Sequence, residues 1–223
     1  MDQCKREVHL SVDDIGKSLR WLSYNKPDSI FDMQLFGQLK QWHDTYNARF
    51  SLYCFAMLDD YLITEMPDTY EDEFRKSSDW LRFGFHGKNN SRFFDEKGYK
   101  AGYKLFMRAA ENAGMRGTDT IRLHNWLASG EQKTFLSTQG INTLLYPDDE
   151  RFPYSDKDSF MENGMEHWKT HIRFEHLDEV TQDTLFIGKS RIVAFTHEKY
   201  VETEMDKIET ALKIFCSHGY LFI

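Results

Sequence analysis

Short runs of apolar and β-branched residues recur along the chain, separated by stretches whose apolar residues return every three or four positions. The first pattern favours strands, and the second puts the apolar side chains on one face of a helix. Strands are expected at residues 8–12, 50–56, 81–85, 120–123, 142–145, 171–174 together with 184–187, 192–195 and 220–223. Helices are expected at 15–23, 33–46, 69–78, 99–112, 131–138 and 200–216. The last is the most regular, with Met205, Ile208, Ala211, Leu212 and Phe215 at helical spacing.

Strands that alternate with helices build right-handed βαβ units and a parallel sheet. Seven or eight of them in 223 residues fit an α/β chain folded as a distorted or incomplete (β/α)7 barrel in a single domain, residues 1–223. An open doubly wound sheet is the alternative. Gly114 and Gly219 follow helices as C-terminal stops. Segment 146–163 is long, polar and proline-bearing, which marks an ordered functional loop. A short acidic stretch joins 171–174 to 184–187, so a hairpin is expected there.

Composition narrows the partners. The chain is 40% hydrophobic and 15% aromatic, which suits a folded core of several layers. A net charge of -8 argues against nucleic acid or an anionic membrane as the main partner. The three cysteines, Cys4, Cys54 and Cys216, are too scattered for a disulfide framework or a zinc knuckle. The opening MDQCKREVHL lacks the apolar centre of a secretory signal, and no apolar run is long enough to cross a bilayer, so a cytoplasmic location is expected.

In parallel β/α folds the chemistry gathers at the C-terminal ends of the strands. Here those ends read Asp13-Asp14, His86-Gly87-Lys88-Asn89-Asn90, Arg122-Leu123-His124-Asn125-Trp126, Tyr146-Pro147-Asp148-Asp149 and Thr196-His197-Glu198. Taken singly, each is as well explained by a helix cap or a hydrogen-bonded histidine. Adjacent aspartates at a strand end repel each other unless a cation, hydrogen bonds or solvent offsets the charge. One carboxylate can cap a helix, or one can bind a metal while the other acts as a base. The histidines of EHWKTHIRFEH (His167, His171, His176) resemble a metal box in spacing but do not share a helix face, so a surface or loop position is expected. Asp59-Asp60 reads as a turn or helix start, and Cys54 as core.

The ordered series resembles the polysaccharide deacetylase homology domain, carbohydrate esterase family 4 and its relatives. The family's T-F-D-D-G is matched by Ser11-Val12-Asp13-Asp14-Ile15, its H-S/T-x-x-H by His86 to Asn90, its R-x-P-x-G loosely by Arg122 to Trp126, and its final strand-end histidine by His197. The resemblance implies a distorted (β/α)7 barrel, a divalent metal (zinc, with cobalt or manganese as alternatives), and hydrolysis of acyl groups on sugars. It makes Asp13 the general base and Asp14, His86 and Asn90 the metal ligands. Asn90 stands where the family has histidine and offers a weaker, harder oxygen donor, so the site either recruits His124 or another residue, or has lost its metal. Of the third motif only Arg122 carries over.

The chemistry asks for these residue types. Water attack on an unactivated amide or ester needs a metal, a carboxylate base and an acid for the leaving group. Asp13 fits the base, Arg122 its orienting cation, and His197 the acid. His124, Trp126 and Tyr146 are candidate substrate contacts, with Phe152 and Tyr154 in the same rim, since sugar rings stack on aromatic faces. The expected substrate is an acylated carbohydrate or small amide. A catalytically silent carbohydrate-binding or regulatory relative is the alternative. There is no G-x-S-x-G elbow or phosphate-binding loop of the Walker type.

Overall fold

A computed structural model describes residues 5–90, 96–126, 128–147 and 157–223. Strand β1 (Glu7–Ile15) leads into helix α1 (Lys17–Asn25) and helix α2 (Gln34–Tyr46), and β2 (Phe50–Phe55) follows. A hairpin of β3 (Met57–Leu58) and β4 (Tyr61–Leu62) precedes α3 (Glu71–Lys76) and β5 (Leu81–Gly87). Then come α4 (Glu96–Asn112), β6 (Thr120–Arg122), α5 (Gly130–Thr138), β7 (Thr143–Tyr146), β8 (Ser159–Glu162), β9 (Met165–Lys169) and β10 (Ile172–Arg173). Strand β11 (Arg191–His197), α6 (Met205–Ser217) and β12 (Leu221–Phe222) complete the order.

Two sheets face each other. One runs β10-β11-β1-β2-β5, all parallel, with β12 pairing beside β1. The other runs β6-β7-β9-β8, parallel except for the β8–β9 hairpin. At one seam the Phe83 N–H donates to the Arg116 carbonyl (2.9 Å) and the Thr118 N–H to the Phe83 carbonyl (3.0 Å). At the other, Thr170 still donates to Tyr146 of β7 (2.9 Å), whereas His171 donates to Val193 of β11 (2.8 Å). The chain thus crosses between sheets within two residues. β1, β2, β5, β6, β7, β9 continued by β10, and β11 form a ring of seven parallel strands, joined at its seams by isolated bonds rather than full ladders. This is a distorted (β/α)7 barrel, and the bonds that join the two sheets at both seams set it apart from an open doubly wound sheet.

β1 shows why the ring forms. Its outward Val8, Leu10 and Val12 are buried among the apolar core, while inward His9, Ser11 and Asp13 are buried as well. A strand covered on both faces is what parallel β/α architecture requires. Inside the ring, His9 meets the Tyr53 hydroxyl (3.0 Å), and that hydroxyl donates to the Thr120 carbonyl (3.0 Å). Burial, reinforced by Arg122 and Arg191, lowers the His9 imidazole to about 3, so it sits neutral in this chain. Gly84 makes room for the same ring, because a Cβ there would lie 2.7 Å from Tyr53. On the outside, α2 contributes Leu35, Phe36, Leu39 and Trp42, and α6 contributes Ile208, Ala211, Leu212 and Phe215.

Several expectations are corrected. Residues 184–187 form no strand: Thr181 and Thr184 exchange backbone-to-hydroxyl bonds (2.8 and 3.2 Å), and Phe186 takes φ 54, so local side-chain bonding wins over β propensity. The end of the polar segment 146–163 is β8, paired antiparallel with β9. His167 and His171 are not surface residues. His167 is buried in β9 and stacks on Phe160 (4.6 Å), and His171 is held by Asp158 (3.2 Å) and by the Val193 N–H (3.0 Å). Asp59-Asp60 forms a turn, as expected, between β3 and β4 and faces Arg20 (3.7 and 3.2 Å). Cys54 is buried, as core.

Candidate functional site

All of the strand-end groups that the structure describes sit on the C-terminal mouth of this ring. Asp13 keeps the strand register, opposite His197. Asp14 does not: it takes φ 62, and the β1–β2 register shifts between Val12 and Ile15. Aspartate tolerates the left-handed region better than most residues. The bulge re-aims its side chain, so both carboxylates face the mouth, which simple strand alternation would forbid.

Asp13 is 1% exposed and lies 3.0 Å from Nε of Arg122, which is fully buried. Arg122 also donates to Thr170 Oγ1 (2.6 Å) and reaches Ser11 Oγ (3.5 Å), and its guanidinium covers the rings of Phe195 (4.1 Å) and Trp126 (4.5 Å). Burial pushes the Asp13 carboxyl above its usual value and Arg122 opposes the rise. Asp13 is the counter-ion of a guanidinium that cannot lose its proton, and this pairing favours its ionised form.

Asp14 Oδ1 lies 3.2 Å from His86 Nε2 and 3.5 Å from His124 Nδ1. The ligand atoms of Asp14, His86 and His124 all fall within 4.8 Å of one another. His86 Nδ1 donates to the Arg122 carbonyl (2.7 Å), which fixes the ring and points Nε2 toward Asp14. His124 reaches the same point because residues 124–126 turn sharply, with Asn125 at φ 58 and Trp126 at φ 63. Phe55 packs on both imidazoles at 5.1 Å. Asp14 Oδ1 is buried without a hydrogen-bond donor. One orphaned carboxylate oxygen and two imidazole nitrogens clustered at this separation fit a divalent transition metal. Burial disfavours the Asp14 charge, but His124 and His86 hold its carboxyl well below the ordinary range.

His197 Nδ1 is bonded to Glu175 Oε1, and Glu175 Oε2 accepts from Thr196 Oγ1 (3.1 Å). Burial works against the imidazolium, yet Glu175, aided by Asp13 and Asp14, raises His197 above its usual value. Nδ1 donates to Glu175, so in the charged ring the proton free for transfer is the one on Nε2. Glu175→Gln is expected to move the His197 titration to lower pH, followed by NMR of the imidazole; an unmoved titration would mean that Glu175 does not set it. Glu198, the next residue, accepts from the backbone N–H groups of Gly16 (3.2 Å), Lys17 (3.0 Å) and Ser18 (2.6 Å). It caps α1 from the end of the neighbouring strand and ties the end of β11 to the segment that follows Asp14.

The structure thus brings together Asp13, Asp14, His86, Arg122, His124, Trp126 and His197. Asn90 is exposed. Tyr146 is buried, with its hydroxyl on the Lys157 carbonyl and its ring edge-on to Phe160, so it offers packing rather than an open face. Phe152 and Tyr154 lie outside the described residues. Glu175 is the functional group that sequence reasoning missed. Its only signal is a carboxylate directly after a strand, in RFEH.

Neither a protein-family model nor a curated protein matches the chain. Solved structures do. The Bc1960 peptidoglycan N-acetylglucosamine deacetylase superposes with a TM-score of 0.61 at 14% identity, over 98% of this chain and 86% of its own. A family 4 acetyl xylan esterase from Clostridium thermocellum, in complex with cobalt, gives 0.53 at 13% identity over 98% and 87%. A 4-alpha-glucanotransferase from Thermococcus litoralis gives 0.62 at 10%, over 98% of this chain but 39% of its own. The barrel therefore serves more than one sugar chemistry, and the residues at its mouth must carry the functional reading. In architecture, this chain has the fold of solved polysaccharide deacetylases and family 4 carbohydrate esterases.

Proposed function

We propose that the protein is a divalent-metal-dependent hydrolase that removes an acyl group from an acylated sugar or small amide. One observation carries the reading: a metal-capable triad, a buried carboxylate–arginine pair and a histidine–carboxylate pair share one barrel mouth. The fold is also that of solved deacetylases and of an esterase holding cobalt. Among the described residues no helix is long and apolar enough to cross a membrane.

Asp14, His86 and His124 would hold the ion, which when bound lowers the pKa of water and polarises an acyl carbonyl. Asp13 takes the proton of the attacking water, as a carboxylate kept ionised and aimed by Arg122. His197, charged through Glu175, gives its Nε2 proton to the leaving nitrogen or oxygen. Asn90, at the place of the family's second histidine, is the feature that favours a silent relative. His124 beside Asp14 supplies an alternative imidazole and supports the enzyme reading.

Calorimetric titration with cobalt or zinc tests the ligand set. His124→Ala is expected to weaken binding by roughly 10²-fold or more, since even outer-shell partners are worth 10–100-fold. Asn90→Ala should change it little. Weakening by Asn90→Ala with His124→Ala unchanged would exchange the two roles. Absence of metal binding by the parent protein, with no acetate released from any acetylated sugar, would leave the silent relative as the better reading.

A further inference from the structure

Arg173 ends β10, and its register partner is Phe195. It therefore shares the inward face of Phe195, on the level just below His197. Its guanidinium carbon lies 4.9 Å from the Phe195 ring centroid and 6.0 Å from that of Trp126. Arg122 uses the same two rings, at 4.1 and 4.5 Å.

The two arginines differ in their charge partners. Arg122 is matched by Asp13, Glu175 by His197, and Asp14 faces His86 and His124. Arg173 has no carboxylate and no hydrogen-bond partner among the described residues, and its Nε is buried without an acceptor. A half-buried guanidinium left without a counter-ion is costly, and stacking on aromatic rings offsets only part of that cost. Its planar fork of donors matches a carboxylate or a phosphate, and a ligand entering the mouth over Trp126 meets it.

We propose that Arg173 is an anion subsite of this mouth, recognising a carboxylate or phosphate carried by the acylated sugar. The inference rests on the deacylase reading for the identity of the sugar but not for the binding itself. Charge-assisted bonds of this kind separate charged from neutral ligands by roughly 10–100-fold.

The test compares three probes on the full chain: N-acetylglucosamine, its 6-phosphate and the corresponding N-acetylated uronic acid. Affinities are measured by calorimetry without added metal, and acetate release is followed separately with cobalt. One or both anionic probes should bind the parent protein at least tenfold more tightly than the neutral sugar, and the two arms say which anion is preferred. In Arg173→Gln the ratio of anionic to neutral affinity should fall to near one. Arg173→Lys should keep part of it, and unchanged melting temperatures serve as the check on folding. Equal affinity for all three probes, binding of neither anionic probe, or a preference that survives Arg173→Gln overturns the proposal. Selective binding with no acetate released from any probe overturns the deacylase reading instead and leaves the subsite standing.

Discussion

Asp13→Asn is expected to lower turnover on any accepted substrate by about 10²–10⁴-fold, the usual worth of a general base, while metal occupancy stays near that of the parent protein. Asparagine preserves the shape of the side chain and an acceptor oxygen for Arg122, but cannot take a proton from water. Asp13 faces Arg122 at 3.0 Å, whereas the triad that would hold metal is built on its neighbour Asp14. Asp14→Asn should therefore lose metal and turnover together. Metal analysis beside acetate release distinguishes the two. If Asp13→Asn empties the site while Asp14→Asn keeps both metal and turnover, the roles of the pair are reversed.

Arg122→Met should destabilise the fold by about 3–5 kcal/mol, the cost of leaving one member of a buried ion pair alone. The change removes the bonds to Asp13 and Thr170 that span the barrel between β1, β6 and the end of β9, and it strips the cation from the Phe195 and Trp126 rings. Asp13 then sits in the same burial with no counter-ion, so it holds its proton to higher pH than in the unfolded chain. The native state binds the extra proton, so this variant loses stability as pH rises from the range where an unfolded aspartate ionises until it passes the raised native value. Urea unfolding at several pH values reads both effects. Adding Asp13→Asn should restore part of the loss, because the uncompensated charge is gone; a double variant no better than the sum of the singles would show that packing, not charge, dominates at Arg122.

The barrel was readable because parallel β/α architecture imposes its periods on the sequence. β1, β2, β5, β6, β7 and β11 of the ring each coincide with an expected apolar run. The misses lie where the signal is short or local. β8 and β9 lie in and just after a polar stretch, and residues 184–187 carry a strand-like composition that two threonine side chains divert into turns.

For the site, sequence alone determined which groups stand at strand ends, and hence Asp13, Asp14, His86, Arg122 and His197. Tertiary structure decided what each one meets. Strand alternation sends successive side chains to opposite faces, so only the bulge after Val12, with Asp14 at φ 62, brings both carboxylates to the mouth. The turn at Asn125 and Trp126 brings His124 to Asp14, a contact that no spacing within one motif encodes. Glu175 reaches His197 from the end of a different strand, and Arg173 remains without a counter-ion among the described residues. Such pairings join residues far apart in the chain, and a one-dimensional pattern records the groups available but not the distances between them.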